Sequence, residues 1–160
     1  PAITGLTTKS SASTLPFSLK AAESNVGNKH VAYFYMTATV NIHALGDSIC
    51  IPILAIIVMK MHNIEIASIA IIAFFAFKFM VTKFSGAGVP GGAILIMSPI
   101  LESVLGFNGE MIGIITTMYI LIDPITTSAS VLGNNVFVIM FDTALARLRE
   151  TKNNPSLIKN

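Results

Sequence analysis

The sequence has little charge. Only 11% of its 160 residues are Asp, Glu, Lys or Arg, whereas soluble domains carry about 25%. So few charges cannot cover a water-facing surface, and 53% of the residues are hydrophobic, which together indicate a membrane protein. The net charge is only +2, and no basic run with interleaved aromatic residues offers a surface for nucleic acid. We therefore expect membrane lipid, and no nucleic acid, among its partners.

Cysteine and the common catalytic sequences are also scarce. A single cysteine, Cys50, excludes an internal disulfide and a cysteine-based metal site, and in its apolar surroundings it is interpreted as a small buried hydrophobic residue. The chain contains no H-E-x-x-H, no Walker sequence and no Ser/His/Asp order. The sequence predicts that the protein is not an enzyme.

Apolar segments alternate with polar or glycine-rich breaks. Residues 31–40 and 49–59 are apolar stretches of about 15 Å each as helices, half of a bilayer's hydrocarbon core. Between them lies the polar sequence "NIHALGD", residues 41–47. Because unpaired backbone cannot face lipid, such breaks line a cavity or pack inside protein. The pattern predicts an all-α membrane protein with broken helices, which is typical of transporters with a site at the membrane midplane.

A polar stripe crosses the last apolar segment, residues 111–148. Asp123, Thr127, Ser130 and Asn134 recur every three or four positions with Thr126 beside them, so they share one helix face. A carboxylate at membrane depth with no basic partner on its own helix indicates a site for a polar ligand. The alternative is a seam of hydrogen bonds between helices.

The break at residues 41–47 contains a second polar set. His43 and Asp47 are four residues apart and would share a face of a helical turn, with Asn41 just before it. This set could coordinate a cation, shuttle a proton, or form a structural His43–Asp47 lock. The sequence does not choose among these.

A glycine-rich sequence, "GAGVPG" at residues 86–91, matches G-x-G-x-x-G, and Glu110 follows it nineteen residues later. A dinucleotide site needs a short strand before the glycines, whereas about eighteen apolar residues precede them here, and Pro90 stands where the phosphate-binding helix would begin. We interpret these residues as the tip of a helical hairpin, where the backbone folds back and approaches a ligand.

Four motifs together resemble one family. They are "KSSASTLP" (9–16), "TVN" (39–41), "AGVPGG" (87–92) and "SVLGN" (130–134). In this order and spacing they are similar to the first hairpin tip, the unwound seventh helix, the second hairpin tip and the eighth helix of the dicarboxylate/amino acid:cation symporters, the glutamate-transporter family. The resemblance covers nearly the whole chain.

This resemblance implies the fold and its surroundings. Residues 1–150 would be the C-terminal part of the transport domain of an elevator-type transporter, with the N-terminal scaffold part of the same protein outside this chain. Its expected parts are the end of the first re-entrant hairpin (1–23), a broken helix (29–60), the second hairpin (64–105), the last helix (110–149) and a cytoplasmic tail (150–160). The family also implies a homotrimer and a multi-pass location in the cell (inner) membrane. Arg147 and Arg149 place the C-terminus in the cytoplasm by the positive-inside rule.

The resemblance also implies a substrate site. Asp123 falls on the aspartate that binds the amino group of the substrate, and Ser10 and Ser11 on serines that bind its carboxylate, near a helix N-terminus expected at Thr14. Thr126 replaces the arginine that pairs with acidic substrates, so we expect a small neutral amino acid, with Lys9 as the cation that would keep an acidic substrate possible. The full expected substrate-binding set is Ser10, Ser11, Val89, Gly91, Asp123, Thr126, Thr127 and Ser130, with a gate at Gly86, Gly88 and Pro90.

Ion coupling departs from the family pattern. His43 stands where a sodium-binding aspartate is expected, and Asn134 and Ser130 replace an aspartate and an asparagine of a second sodium site. We expect an ion-coupling region of Asn41, His43, Asp47, Ser130 and Asn134, with Asn41 and Asn134 as sodium ligands if the coupling ion is sodium rather than a proton. Three alternatives remain: an acidic amino acid or dicarboxylate symporter, a degenerate member that does not transport, and a soluble nucleotide-binding enzyme.

Overall fold

The computed structural model describes residues 1–40, 44–65, 68–83 and 90–153. All regular secondary structure in these ranges is α-helical, which confirms the predicted all-α class. The helices are α1 (Ala2–Thr8), α2 (Ser11–Asn25), α3 (Lys29–Thr39), α4 (Leu45–Met61), α5 (Ile69–Lys83), α6 (Gly92–Leu105) and α7 (Gly109–Asn153).

The last helix, α7, is the axis of the fold. Its 45 residues extend about 68 Å at 1.5 Å per residue, and the helix continues through Pro124. Every other helix except α5 packs against it. Within the described ranges it is also the one helix long and apolar enough to cross a membrane, over Gly109–Arg149, while α5 and α6 contribute shorter apolar helices.

Two apolar clusters lie at different heights along α7. The larger cluster joins α4, α5 and α6 to the first part of α7, where Met111, Ile115 and Tyr119 are buried. The smaller cluster joins α2 and α3 to Val138 near the other end of the same helix. The segment of α7 between these clusters therefore has helices packed around it but is not itself part of either apolar core.

Helix starts follow the polar residues that precede them. Ser10 is the N-cap of α2, and its Oγ accepts a hydrogen bond from the Ser13 amide at 3.1 Å, as serine does at this position. Asn28 caps α3 in the same way. The helix expected to begin near Thr14 thus begins at Ser11, because Ser10 supplies the acceptor that the first turn requires.

Candidate functional site

The polar stripe predicted on α7 is buried in the structure. Buried positions follow one face of this helix, and their character changes from apolar to polar and back to apolar along it. The polar part consists of Asp123, Thr126, Thr127, Ser130 and Asn134, each between 3% and 7% exposed. It lies between the buried Tyr119 and the buried Val138. A candidate site for a polar ligand is therefore enclosed by apolar packing on both sides.

Three helix ends converge on this stripe. Thr39, the last residue of α3, donates through its Oγ1 to Asn134 Oδ1 at 3.3 Å. Gly46, in the first turn of α4, donates its amide to Ser130 Oγ at 3.0 Å. Gly91, the N-cap of α6, donates its amide to Asp123 Oδ2 at 3.0 Å. Helix N-termini carry partial positive charge and free amide groups, so the ends of α4 and α6 make this region favourable for negative charge.

The Asp123 carboxylate is the centre of the hydrogen bonding. Its Oδ1 accepts from Thr127 Oγ1 at 3.2 Å and lies 3.3 Å from the Tyr119 hydroxyl, while Oδ2 faces Gly91. Among the described residues, no Lys or Arg side chain lies within ion-pairing distance of it. A 3% exposed carboxylate held only by neutral donors is costly, because a buried charge is stabilised best by an opposite charge. An ammonium group would supply that charge.

Gly91 can present its amide to Asp123 because of its backbone conformation. Its φ is +67°, in the left-handed region that glycine adopts without strain. The residue before it, Pro90, is an exposed turn residue. The bond from Gly91 therefore connects the start of α6, where the sequence predicts a gate, to the residue predicted to bind substrate.

The start of α4 lies directly on the backbone of α7. A Cβ added at Gly46 would lie 2.1 Å from the Thr126 carbonyl oxygen, so only glycine allows this approach. Ser130 reinforces it, because its hydroxyl accepts from the Gly46 amide and donates to the same Thr126 carbonyl at 2.8 Å. Thr126 itself donates through Oγ1 to the Asp123 carbonyl at 3.1 Å. The predicted selectivity residue is thus packed at the α4–α7 contact.

An open apolar groove of about 430 Å³ runs along the same contact. Thr126 and Gly46 line it together with aliphatic residues and Cys50 of α4. No charged side chain lines it in the part of the chain that the structure describes. The surroundings of Thr126 are therefore suited to an uncharged group.

The turn between α1 and α2 holds the serine-rich segment. Ser10 is buried and Ser11 is half-buried, and Lys9 occupies the left-handed region at φ 53°. Thr14 is fully buried and donates to the Ser10 carbonyl at 2.8 Å. Both helices pack against α7, and Ser128 on α7 donates to the Ala2 carbonyl at 3.1 Å. The Ser128 bond therefore joins the start of α1 to α7, and none of the bonds given above joins the turn to Asp123.

Several predicted residues lie outside the described residues. They are Asn41 and His43 of the ion-coupling region and Gly86, Gly88 and Val89 of the second hairpin tip. Asp47 of the same ion-coupling region is described, and it lies in the first turn of α4, where it accepts a hydrogen bond from Tyr119 at 2.6 Å. The structure thus brings Asp47 and Gly91 next to Asp123.

The oxygen atoms available for a sodium ion are mostly neutral. Ser130 Oγ and Asn134 Oδ1 are oxygen ligands of the type that binds sodium in broken-helix transporters. Each already accepts a hydrogen bond, from Gly46 and Thr39 respectively. No group of three His, Cys, Asp or Glu side chains forms a metal site among the described residues. The donor atoms therefore fit sodium in chemical type and not in charge.

Sequence reasoning missed two residues of this site. Tyr119 lies four positions before Asp123 and continues the stripe by one turn, a spacing that could have identified it. Gly46 has no such signal, because its importance comes from the close approach of α4 to α7. Its position becomes informative only once the two helices are seen together.

The comparisons with known proteins identify the family. The model of the sodium:dicarboxylate symporter family matches residues 1–144, so the chain belongs to this family. It is 27% identical over 99% of its length to the neutral amino acid transporter B(0) of Homo sapiens. It is 32% identical over 87% of its length to an uncharacterized symporter of Haemophilus influenzae, and 29% identical over 84% to the excitatory amino acid transporter 1 of Homo sapiens.

These relatives are much longer than the chain. The matches cover 29%, 32% and 24% of the three proteins, so the chain spans about a third or less of their length. No solved structure gives a significant match.

Proposed function

We propose that the chain is the C-terminal part of the transport domain of a symporter that takes up a small neutral amino acid together with a cation. The observation that carries this proposal is the Asp123 carboxylate, which is buried on α7 at the convergence of helix ends. Within the described part of the chain it is bonded only to neutral donors. In this role Asp123 binds the amino group of the substrate. The ammonium takes Oδ2 in place of the Gly91 amide, which frees the start of α6 to move as a gate.

The lengths of the helices support re-entrant hairpins. α5 and α6 contain 15 and 14 residues, so each extends about 22 Å, less than the hydrocarbon core of about 30 Å. The two helices pack against each other, and the glycine-rich segment connects them in the sequence. In this proposal they enter and leave the membrane on the same side, and the serine-rich turn of α1 and α2 forms the opposing hairpin, where Ser10 and Ser11 bind the substrate carboxylate.

The exposed apolar surface supports a membrane location and a missing partner. Large hydrophobic side chains are exposed along several helices, for example Phe34, Phe77 and Leu121 at 71%, 57% and 74%. Such extended apolar faces indicate lipid or protein contacts. We propose that lipid and the N-terminal scaffold of the same protein cover them, within a homotrimer in the cell membrane whose C-terminus is cytoplasmic.

The preference for a neutral substrate rests on Thr126. The relatives named above include both neutral and excitatory amino acid transporters at similar identity, so overall similarity does not decide the substrate. Around Asp123 the described residues supply no guanidinium, and a second carboxylate on the substrate would lose its hydration without a bidentate partner. A serine, threonine or alanine side chain carries no such cost.

The coupling ion is proposed to be sodium or a proton. Ser130 and Asn134, together with Asn41, would offer oxygen atoms to sodium, and His43 or Asp47 would hold a proton. Either ion would supply positive charge beside the substrate. These residues would bind and orient the ion, and no step of the proposal depends on which ion it is.

Uptake by the complete protein in proteoliposomes tests the proposal. We expect uptake of radiolabelled serine or alanine, and little of glutamate or cystine, under an imposed sodium gradient or an imposed proton gradient. Glutamate uptake with no serine uptake would overturn the neutral preference. An absence of all uptake under both gradients would favour a degenerate member of the family.

Thr126→Arg is expected to shift selectivity toward acidic substrates. The new guanidinium can pair with a substrate carboxylate, and hydrogen bonds to charged groups contribute about 1.5 to 3 kcal/mol. The ratio of glutamate to serine uptake should therefore rise about tenfold or more. Thr126→Met is the control, since it adds comparable bulk without charge. Equal ratios in the two variants would show that Thr126 does not determine charge selectivity.

A further inference from the structure

We infer that Tyr119 is a positioning residue for substrate binding, and that Asp47 controls it by holding its hydroxyl proton. This inference rests on the proposed role of Asp123. It concerns how Asp123 is kept available to the substrate.

Tyr119 lies between two carboxylates on different helices. Its ring is buried, with 1% exposure, and its hydroxyl is 2.6 Å from Asp47 Oδ1 on α4 and 3.3 Å from Asp123 Oδ1 on the same helix. The bridge therefore joins α4 to the polar stripe of α7.

A phenol has a single hydrogen to donate, so Tyr119 can serve only one of these carboxylates at a time. The distance to Asp47 is that of a strong charge-assisted bond between oxygens, whereas the distance to Asp123 is beyond the usual range of such bonds. The proton therefore points to Asp47. Among the residues that the structure describes, Asp123 Oδ1 then accepts only from Thr127.

The consequence is a competition that Asp47 prevents. An ammonium group has three hydrogens and needs acceptors. Besides Asp123 Oδ2, the Asp123 Oδ1 and the Tyr119 oxygen present two more. Without Asp47, the Tyr119 hydroxyl turns toward Asp123 and donates to it, which occupies the acceptor and weakens ammonium binding. Asp47 acts on the substrate through Tyr119, without touching it.

A double-mutant cycle in the complete transporter tests this chain of contacts. We expect Asp47→Ala to raise the KM for serine uptake about tenfold, equivalent to about 1.4 kcal/mol. Tyr119→Phe, which removes the competing proton, should raise KM only about threefold, because it also removes one acceptor. The double variant should resemble Tyr119→Phe, so the second substitution rescues the first.

Two controls keep the result specific. Asp47→Asn retains an oxygen that accepts from the phenol, so the KM of this variant should rise less than that of Asp47→Ala. If Asp47→Ala does not reach the membrane, Asp47→Asn replaces it in the cycle, and Tyr119→Phe should rescue it in the same way. Tyr35→Phe removes a tyrosine hydroxyl on α3, where the ring packs on Phe141 at 5.4 Å, and should leave KM unchanged.

Additive effects in the double variant, or an unchanged KM in Asp47→Ala, would overturn the inference. If the unmodified transporter takes up serine and Asp123→Asn abolishes that uptake, such a result overturns the role of Tyr119 and leaves the proposed role of Asp123 standing. If the parent takes up no amino acid, the proposed function fails and this inference fails with it.

Discussion

Asp123→Asn is expected to abolish amino acid uptake while the protein still inserts and folds. The amide is nearly the same size as the carboxylate. Its oxygen can still accept from the Gly91 amide, and its NH2 group can donate to the Thr127 hydroxyl, so the packing around α7 is preserved. What is lost is the negative charge that pairs with the ammonium. Breaking a buried charged pair costs about 3 to 5 kcal/mol, equivalent to at least a hundredfold weaker substrate binding.

The control is the same substitution elsewhere on the same helix. Asp142 lies nineteen residues further along α7 and accepts from the Gly27 amide at 3.0 Å through Oδ2, far from the polar stripe. Asp142→Asn should retain uptake. Radiolabelled serine uptake and detergent-solubilised melting temperatures, measured for both variants, separate loss of binding from loss of structure.

This experiment also decides between the two interpretations of the polar stripe. The hydrogen bonds from Gly91 and Thr127 are what a structural seam would show. A seam tolerates an asparagine, which both donates and accepts, and so predicts near-normal uptake by Asp123→Asn. A binding site requires the charge. Normal uptake by this variant would remove the central claim of the proposed function.

The sequence predicted the polar face of α7 better than it predicted the helices that pack against that face. Periodicity alone placed Asp123, Thr127, Ser130 and Asn134 on one face, and all of them are buried in the structure. Such a stripe is local information, because helical geometry relates residues that are close in the chain. The cap at Ser10 is also local information, but it was not predicted, and the predicted helix start was three residues late.

Contacts between distant segments could not be predicted in this way. The Tyr119–Asp47 bond joins residues 72 positions apart, and the Gly91–Asp123 bond joins residues 32 apart. Both bonds depend on which helix ends contact α7 and at what height along it. The packing of the two apolar clusters determines these contacts. Asp47 was predicted to serve the coupling ion, and nothing in its local sequence indicated a tyrosine partner.

The second large effect is expected at Gly46, where α4 meets α7. Gly46→Ala places a Cβ 2.1 Å from the Thr126 carbonyl oxygen, and the atom that it meets belongs to the backbone of a long helix, so it cannot rotate away. The two helices must separate, which also breaks the bond from the Gly46 amide to Ser130. Overpacking of this kind costs about 1 to 3 kcal/mol and occasionally more. We expect a cost of about 3 kcal/mol, visible as a clear drop in the melting temperature of the solubilised protein, with uptake lost as well.

Gly113→Ala provides the matched control for this prediction. Gly113 lies on α7, and a Cβ added there meets nothing within 4 Å. Because alanine favours a helix over glycine by about 1 kcal/mol, the melting temperature should stay the same or rise slightly. A Gly46→Ala variant as stable as Gly113→Ala would mean that α4 does not approach α7 this closely. The start of α4 would then not lie beside the polar stripe, and the site would lack one of the helix ends from which it is built.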